Sequence, residues 1–433
     1  MKSVARNPET IGIHGGSFRK DEIHKSVAVP IHQTTSYQFY STENASNLFS
    51  LKEFGNIYTR IMNPTNNILE ERITELEDGV SSLSVSSGQS ASAISIQNLC
   101  NTGDNIVSST DLYGGTLNLF NNTLKSMGIE VRYADPSDPK NFERLTDEKT
   151  KLYYAETLPN PSLRVFPIEE VATIGKDLCV PLIIDNTSCP VICKPIKYGA
   201  TIVIHSLTKF IGGHGNSIGG ILIDSGKFNW SVNKNRHPNI WMPDQSYHGA
   251  IWGEVVPKLL GINIPFIIRA RVVLLRDLGY TLSPFNAFQF IQGLETLALR
   301  IKQHCKNANI VKNFLQSHKK VQKVIFSTNQ NKFFNNLSKK YLKGGKGSLI
   351  GIELKGGLEA GKKFINNLKL FYHVANIGDV RSLAIHPAST THSQLSNKDM
   401  LKAGVTPGYV RLSIGIEHSE DIINDIEQAL EKI

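Results

Sequence analysis

From residue 66 onward, apolar positions alternate between two spacings. NNILEERITELED (66–78) places Ile68, Leu69, Ile73 and Leu76 on one helical face and stops at Gly79. VSSLSVSSG (80–88) predicts a short strand running into a glycine turn, and QSASAISIQNLC (89–100) a small-residue helix. DNIVSS (104–109) and IEVRYAD (129–135) predict strands on either side of a helix over LNLFNNTLKSMG (117–128). KLYYAETL (151–158), VPLIIDN (180–186) and ATIVIHS (200–206) are near-continuous runs of Val, Ile, Leu and Tyr. Such runs mark strands buried on both faces, and their alternation with helices predicts a mainly parallel sheet covered on both sides.

Elsewhere the pattern differs. Residues 1–65 are polar and loop-rich, an arm that cannot bury a core of its own. Segment 226–249, GKFNWSVNKNRHPNIWMPDQSYHG, has little periodicity and reads as a long functional loop. NAFQFIQGLETLALRIKQHCKNANIVKNFL (286–315) predicts one long helical stretch. SLIGIELKGG (348–357) and GYVRLSIGI (408–416) predict strands, with a helix over GLEAGKKFINNLKLF (357–371). The division that follows is an arm over 1–65, a large α/β domain over 66–275 and a smaller α+β domain over 276–433.

Composition narrows the class. The 433 residues hold 47 Lys plus Arg against 38 Asp plus Glu, a formal net charge of +9. The excess invites an anionic partner, but it is mild for this length and does not choose among nucleic acid, lipid and a phosphate-bearing cofactor. Eight lysines between 319 and 346 stand without an acidic residue, which reads as a solvated face and not a nucleic-acid site, since no aromatic platform is interleaved. Five cysteines, an odd number, argue against a disulfide scaffold and for a reducing compartment. Cys189 and Cys193 lack the second pair that zinc needs and read as core residues, so no metal is expected. The N-terminus has no apolar signal region and no run reaches the ~20 apolar residues of a membrane span, so a cytoplasmic protein is expected.

Four segments carry candidate chemistry. ATIVIHSLTKFIGGHG delivers Ser206, Thr208 and Lys209 at the carboxyl end of a buried strand, where ligands of open α/β sheets sit. Hydroxyls and an amine there can hold a phosphate and form a Schiff base. Alone, S-x-T-K reads more readily as a solvated lysine after a strand. Asp185 ends another buried strand, where a carboxylate needs a cation, a pyridinium nitrogen among the choices, unless it merely caps a turn. Gly88 and Gln89 open a helix whose N–H groups suit a phosphate, or form a plain strand–helix turn. Tyr113, ahead of a glycine pair, can stack on a cofactor ring or simply pack in a loop.

Read together, these segments resemble the Cys/Met-metabolism family of pyridoxal-phosphate (PLP) enzymes. The resemblance rests on YTRIMNPT (58–65), SSGQSA (86–91), YGGT (113–116), ETLPNP (156–161), DNT (185–187), HSLTKFIGGHG (205–215), RSLAIHPAST (381–390) and VRLSIGIE (410–417), collinear and spread over nearly the whole chain. It implies fold type I (aspartate-aminotransferase-like), with a seven-stranded, mainly parallel sheet and a smaller α+β domain. It implies PLP bound covalently by Lys209, which later carries the proton at Cα. Asp185 would face the pyridine nitrogen, and Tyr113 would stack on the ring and assist proton transfer. Gly88, Gln89, Ser206 and Thr208 would hold the phosphate. Tyr58 and Arg60 would reach the phosphate of a neighbouring subunit's cofactor, so a homodimer is required and a homotetramer expected. Arg411 would clamp the substrate carboxylate, supported by Asn160 and Ser382. His214, His386 and His392 stand in family motifs but read as structural histidines.

Within the family, three features are most similar to the O-acetylhomoserine sulfhydrylases: the insertion ending in PDQSYHG (243–249), LRDLGYTLSPFNAFQFIQGLETLALR (275–300) and IGDVRSLAIHPASTTHSQL (377–395). That similarity implies γ-replacement, with O-acetyl-L-homoserine and sulfide or a thiol giving L-homocysteine or methionine plus acetate. Methionine γ-lyase and cystathionine γ-synthase or lyase are the alternatives.

Overall fold

A computed structural model describes residues 6–17, 25–390 and 404–433. Two sheets organise it. The larger has seven strands, β1 (Ser81–Val85), β2 (Asn105–Ser109), β3 (Glu130–Ala134), β4 (Thr150–Glu156), β5 (Leu182–Asp185), β6 (Ile202–Ser206) and β7 (Gly220–Asp224), in the order β1-β7-β6-β5-β4-β2-β3. Only β7 runs antiparallel to its neighbours β1 and β6; β6, β5, β4, β2 and β3 pair in parallel.

Period-two geometry explains the apolar runs. Along β4, Tyr153 and Ala155 enter one core, and Leu152 and Tyr154 the other. On β5, Leu182 and Ile184 face the first and Ile183 the second. The first core is closed by helices Pro64–Leu76, Ile168–Asp177 and Pro284–Glu295. The second is closed by helix Gly88–Gln97, segment 119–124 and residues 264–275.

The second sheet is built from β8 (Val321–Ile325), β9 (Leu349–Leu354), β10 (Tyr372–His373), β11 (Leu383–Ile385) and β12 (Tyr409–Ser413), in the order β10-β11-β12-β9-β8. A separate apolar cluster over its face includes Phe364, Ile422 and Ile426.

Several local expectations change. The long helical stretch is two helices, Pro284–Glu295 and Leu297–Ser317, parted at Thr296. The carbonyl of Gly293 at the break accepts from Arg300 Nη2 at 2.6 Å, so the interruption leaves no buried orphan there. Segment 117–128 widens to a π-helical turn over Leu119–Leu124. β7, β8, β10 and β11 were not anticipated.

The lysine-rich stretch is not simply a solvated face. It forms β8 and helix Lys332–Tyr341. Lys340 pairs with Glu169 and Glu170, at 2.6 and 3.0 Å, on a helix of the large sheet. Lys346 donates to the carbonyls of Ser338 and Leu342 at that helix's C-terminal end. Lys320 donates to those of Leu430 and Ile433. The two N-terminal helices of the arm are short, Pro8–His14 and Thr42–Phe49, and Ile11 and Val29 insert into the first core. Among the described residues, no helix is long and apolar enough to cross a membrane.

Segment 226–249 is anchored instead of loose. Trp230 is buried, stacked on Phe266 at 5.9 Å with planes 7° apart, and edge-on to Phe228 and His237. Its anchors escape periodicity because short turns at 234–236, 238–241 and 245–247 separate them. Trp230→Ala should therefore cost about 3–5 kcal/mol in denaturant unfolding, whereas Met242→Ala, on the exposed side of the same segment, should stay within about 0.5 kcal/mol.

Candidate active site

Because β1, β2, β4, β5 and β6 point the same way, their carboxyl ends line one edge of the sheet. That edge gathers Gly88 and Gln89 after β1, Tyr113 after β2, Glu156 on β4, Asp185 on β5, and Ser206, Thr208 and Lys209 after β6. A strand order that places sequence-distant segments side by side thus builds a site from short motifs.

The β1 turn meets β6 directly. A Cβ on Gly88 would lie 2.6 Å from that of Ser206, so only glycine allows this approach. Ser87 caps the helix by accepting the Ser90 N–H at 3.0 Å, leaving the N–H groups of Gly88 and Gln89 at the helix start without intrahelical partners. Gln89 Oε1 is buried with no partner. Thr208 Oγ1 is tied to the backbone of Gly219, accepting its N–H at 3.1 Å. Thr187 connects two strands: its N–H donates to Asp185 Oδ1 at 2.9 Å, and its hydroxyl accepts the Ser206 N–H at 2.7 Å.

Charges converge here with little water. Burial raises the Asp185 carboxyl; the bonds from Thr187 and the nearness of His205 pull it back. Burial, then the charge of Arg411, pushes the Lys209 amine down to about 8. Lys209 Nζ donates to Asn376 Oδ1 at 2.5 Å, and the Asn376 carbonyl accepts from Arg411 Nη2 at 2.8 Å. Arg411 lies in the middle of the second sheet, between Gly351 of β9 and Ile385 of β11, and its Nε is buried without a partner. A buried guanidinium with a free donor is a receptor for a carboxylate. Arg300 fixes the chain after Lys209 by donating to the carbonyls of Phe210 and Ile211, at 2.6 and 3.0 Å.

Tyr113 is half-exposed beside this group, its ring over Gly115, where a Cβ would lie 2.4 Å from the ring edge. Not every anticipated residue joins. The Ser382 hydroxyl donates to Glu417 Oε2 at 3.0 Å and accepts the Gly415 N–H at 2.9 Å. Asn160 precedes Pro161, whose carbonyl accepts from Tyr409 at 3.2 Å. Tyr58 and Arg60 are both exposed and pack on each other, 5.3 Å from guanidinium to ring centre. His386 is buried with both ring nitrogens bonded, to Ser389 and to the Pro407 carbonyl, and His214 bonds the Gly212 carbonyl. His392 lies outside the described residues.

Three residues escaped the sequence reading: Glu156, Thr187 and Asn376. The first two stand in motifs already quoted, and Glu156 repeats on β4 the strand-end position of Asp185 on β5. Asn376 immediately precedes IGDVRSL and carries no local signal.

The donor set fits a phosphorylated pyridine aldehyde. An amine of lowered basicity, a buried carboxylate with donors on one side and a capped helix start with unpaired N–H groups each supply one function that such a group needs. The profile of the Cys/Met metabolism PLP-dependent enzymes matches residues 9–431. The chain belongs to this family, and its cofactor is PLP. It is 51% identical to the O-acetyl-L-homoserine sulfhydrylase of Leptospira meyeri, covering 100% of this chain and 99% of that protein. It is 44% identical to O-acetyl-L-homoserine sulfhydrylase 1 of Thermus thermophilus, over 98% and 99%. Among solved structures, a putative O-acetylhomoserine (thiol)-lyase from Campylobacter jejuni, crystallised with a pyridoxyl-lysine phosphate, superposes with a TM-score of 0.92 at 40% identity, over 98% of this chain and 100% of that one.

The lowered basicity of Lys209 makes a prediction. Only the neutral amine attacks an aldehyde, so PLP should recombine with apoprotein at a rate that rises with pH through about 8 and then levels off. A stopped-flow profile rising only above pH ~10, the range of an ordinary lysine, would contradict the burial argument.

Proposed function

We propose that this chain is an O-acetyl-L-homoserine sulfhydrylase, converting O-acetyl-L-homoserine and sulfide (or a thiol) into L-homocysteine (or methionine) and acetate by replacement at Cγ. The observation carrying this reading is full-length similarity to proteins of that name. PLP, when bound, supplies the electron sink for charge developing at Cα.

The chain's own residues do the rest. Arg411 holds the substrate carboxylate through the donor that has no protein partner. Asn376, lying between Arg411 and Lys209, ties the carboxylate clamp to the reacting amine. Lys209 takes the proton from Cα and returns it after sulfide has displaced acetate. Its amine is basic enough to accept that proton yet largely neutral at mildly alkaline pH. Tyr113 covers the ring and assists proton transfer. Gly88, Gln89, Ser206 and Thr208 hold the phosphate, and Asp185 faces the pyridine nitrogen. Asn160 and Ser382 support the clamp indirectly, Ser382 by holding Glu417 and Gly415 in place.

We read the active unit as a homodimer, assembled into a homotetramer, with the arm of one copy reaching the other's site. The mutual packing and exposure of Tyr58 and Arg60 support this. Five free cysteines agree with a cytoplasmic location.

Purified protein given O-acetyl-L-homoserine and sulfide should release homocysteine and acetate in equal amounts, and Lys209→Ala should abolish both products. Preferential release of methanethiol from methionine, or cleavage of cystathionine, would instead identify a lyase, and preferential formation of cystathionine from cysteine a synthase. The shared site makes a second prediction. When inactive Lys209→Ala and Arg60→Ala chains are unfolded and refolded together, random pairing should leave about one site in four intact. Activity should reappear to that extent, and no recovery would mean that each chain completes its own site.

A further inference from the structure

Beside Asp185 stands a second buried acid. Glu156 ends β4 in register with Asp185 at the end of parallel β5. Registered residues on neighbouring strands lie on the same face, with backbones about 4.8 Å apart. Two carboxylates so placed, away from water, cannot both ionise without a large penalty.

Donors are shared unequally between them. Asp185 has the Thr187 N–H and hydroxyl, feels the charge of His205 and would face the cofactor's pyridinium. Glu156 has one donor, the Tyr113 N–H, at 2.6 Å to its Oε1. The negative charge therefore belongs to Asp185, and the proton to Glu156. Burial, followed by the charges of Asp185 and Asp111, accordingly holds the Glu156 carboxyl well above its usual range.

The single bond that Glu156 makes is strategically placed. Loop 110–113 is pinned on its far side by Arg164, which grips Asp111 with two bonds of 2.7 Å each. At Tyr113 the helix Gly114–Asn118 begins, and no side chain caps it. Glu156 is what fixes the Tyr113 backbone on the side of Lys209 and Asp185.

We propose that Glu156 is a positioning residue acting in its protonated form: it anchors Tyr113, and so the ring over the cofactor, without placing a second negative charge beside Asp185. The proposal rests on the reading that Tyr113 lies against PLP.

The test is titration of apoprotein with PLP, following the visible band of the Lys209 imine. Glu156→Gln, neutral and still an acceptor, should bind within about twofold of wild type. Glu156→Ala, which strands the Tyr113 N–H, should bind about tenfold more weakly. Equal weakening in both variants would mean that a charged Glu156 is required, and unchanged binding in Glu156→Ala would mean that it anchors nothing; either overturns the proposal. Should Glu156→Ala fail to fold by circular dichroism, Glu156→Asp, whose carboxyl is withdrawn by one methylene, takes its place: weaker binding than Glu156→Gln supports the proposal and the reverse order overturns it. Tyr113→Ala tests the underlying reading separately. Unchanged PLP affinity there removes the stacking role itself, whereas a weakened Tyr113→Ala beside an unaffected Glu156→Ala rejects only the anchor.

Discussion

Desolvated charge at one edge of a parallel sheet governs this molecule. Asp185, Glu156, Lys209 and Arg411 sit where the two sheets meet, each more basic or more acidic than water would leave it. Isolated, every one of them would be expensive to bury. Together, and with an anionic substrate and a phosphorylated pyridine, their needs become complementary. A clamp with an unfilled donor, an amine eager to be neutral and a carboxylate seeking a cation all describe the same missing ligand from different sides.

The remainder of the architecture supports that edge. Both cores pack the large sheet from opposite faces, so its strand ends are held rigidly. Arg300 spans from the broken long helix to the carbonyls just after Lys209, and thereby couples the helix between the two sheets to that lysine. Thr187 ties β5 to β6 through one N–H and one hydroxyl. Asn376 reaches from the approach to β11 and joins Lys209 to Arg411. The same positions would pre-organise substrate and proton carrier, which is how a cofactor enzyme contributes beyond its cofactor.

Much of this was legible beforehand. β4, β5 and β6 showed as buried runs because both faces are covered, and motif order carried the resemblance that nominated Lys209, Asp185 and Arg411. Elements without such a signature were not legible. β7 follows directly on a glycine-rich stretch that reads as loop. β8 carries exposed Gln322 and Lys323 on an edge strand. The break at Thr296 depends on Arg300 being available to satisfy a carbonyl. The lysine-rich segment looked uniformly solvated because its partners, Glu169 and Glu170, lie about 170 residues earlier.

By itself, the sequence determined the class of fold, since hydrophobic period is a local property, and its motif order nominated Lys209 and Asp185 by resemblance. What only the tertiary structure decided is how charges are shared. Glu156 is an unremarkable residue in a motif until β4 and β5 are placed in register, and Asn376 is a plain loop residue until the second sheet brings Arg411 to Lys209. Ionisation and hydrogen-bond partnership depend on distance and burial, and those follow from packing between segments far apart in the chain.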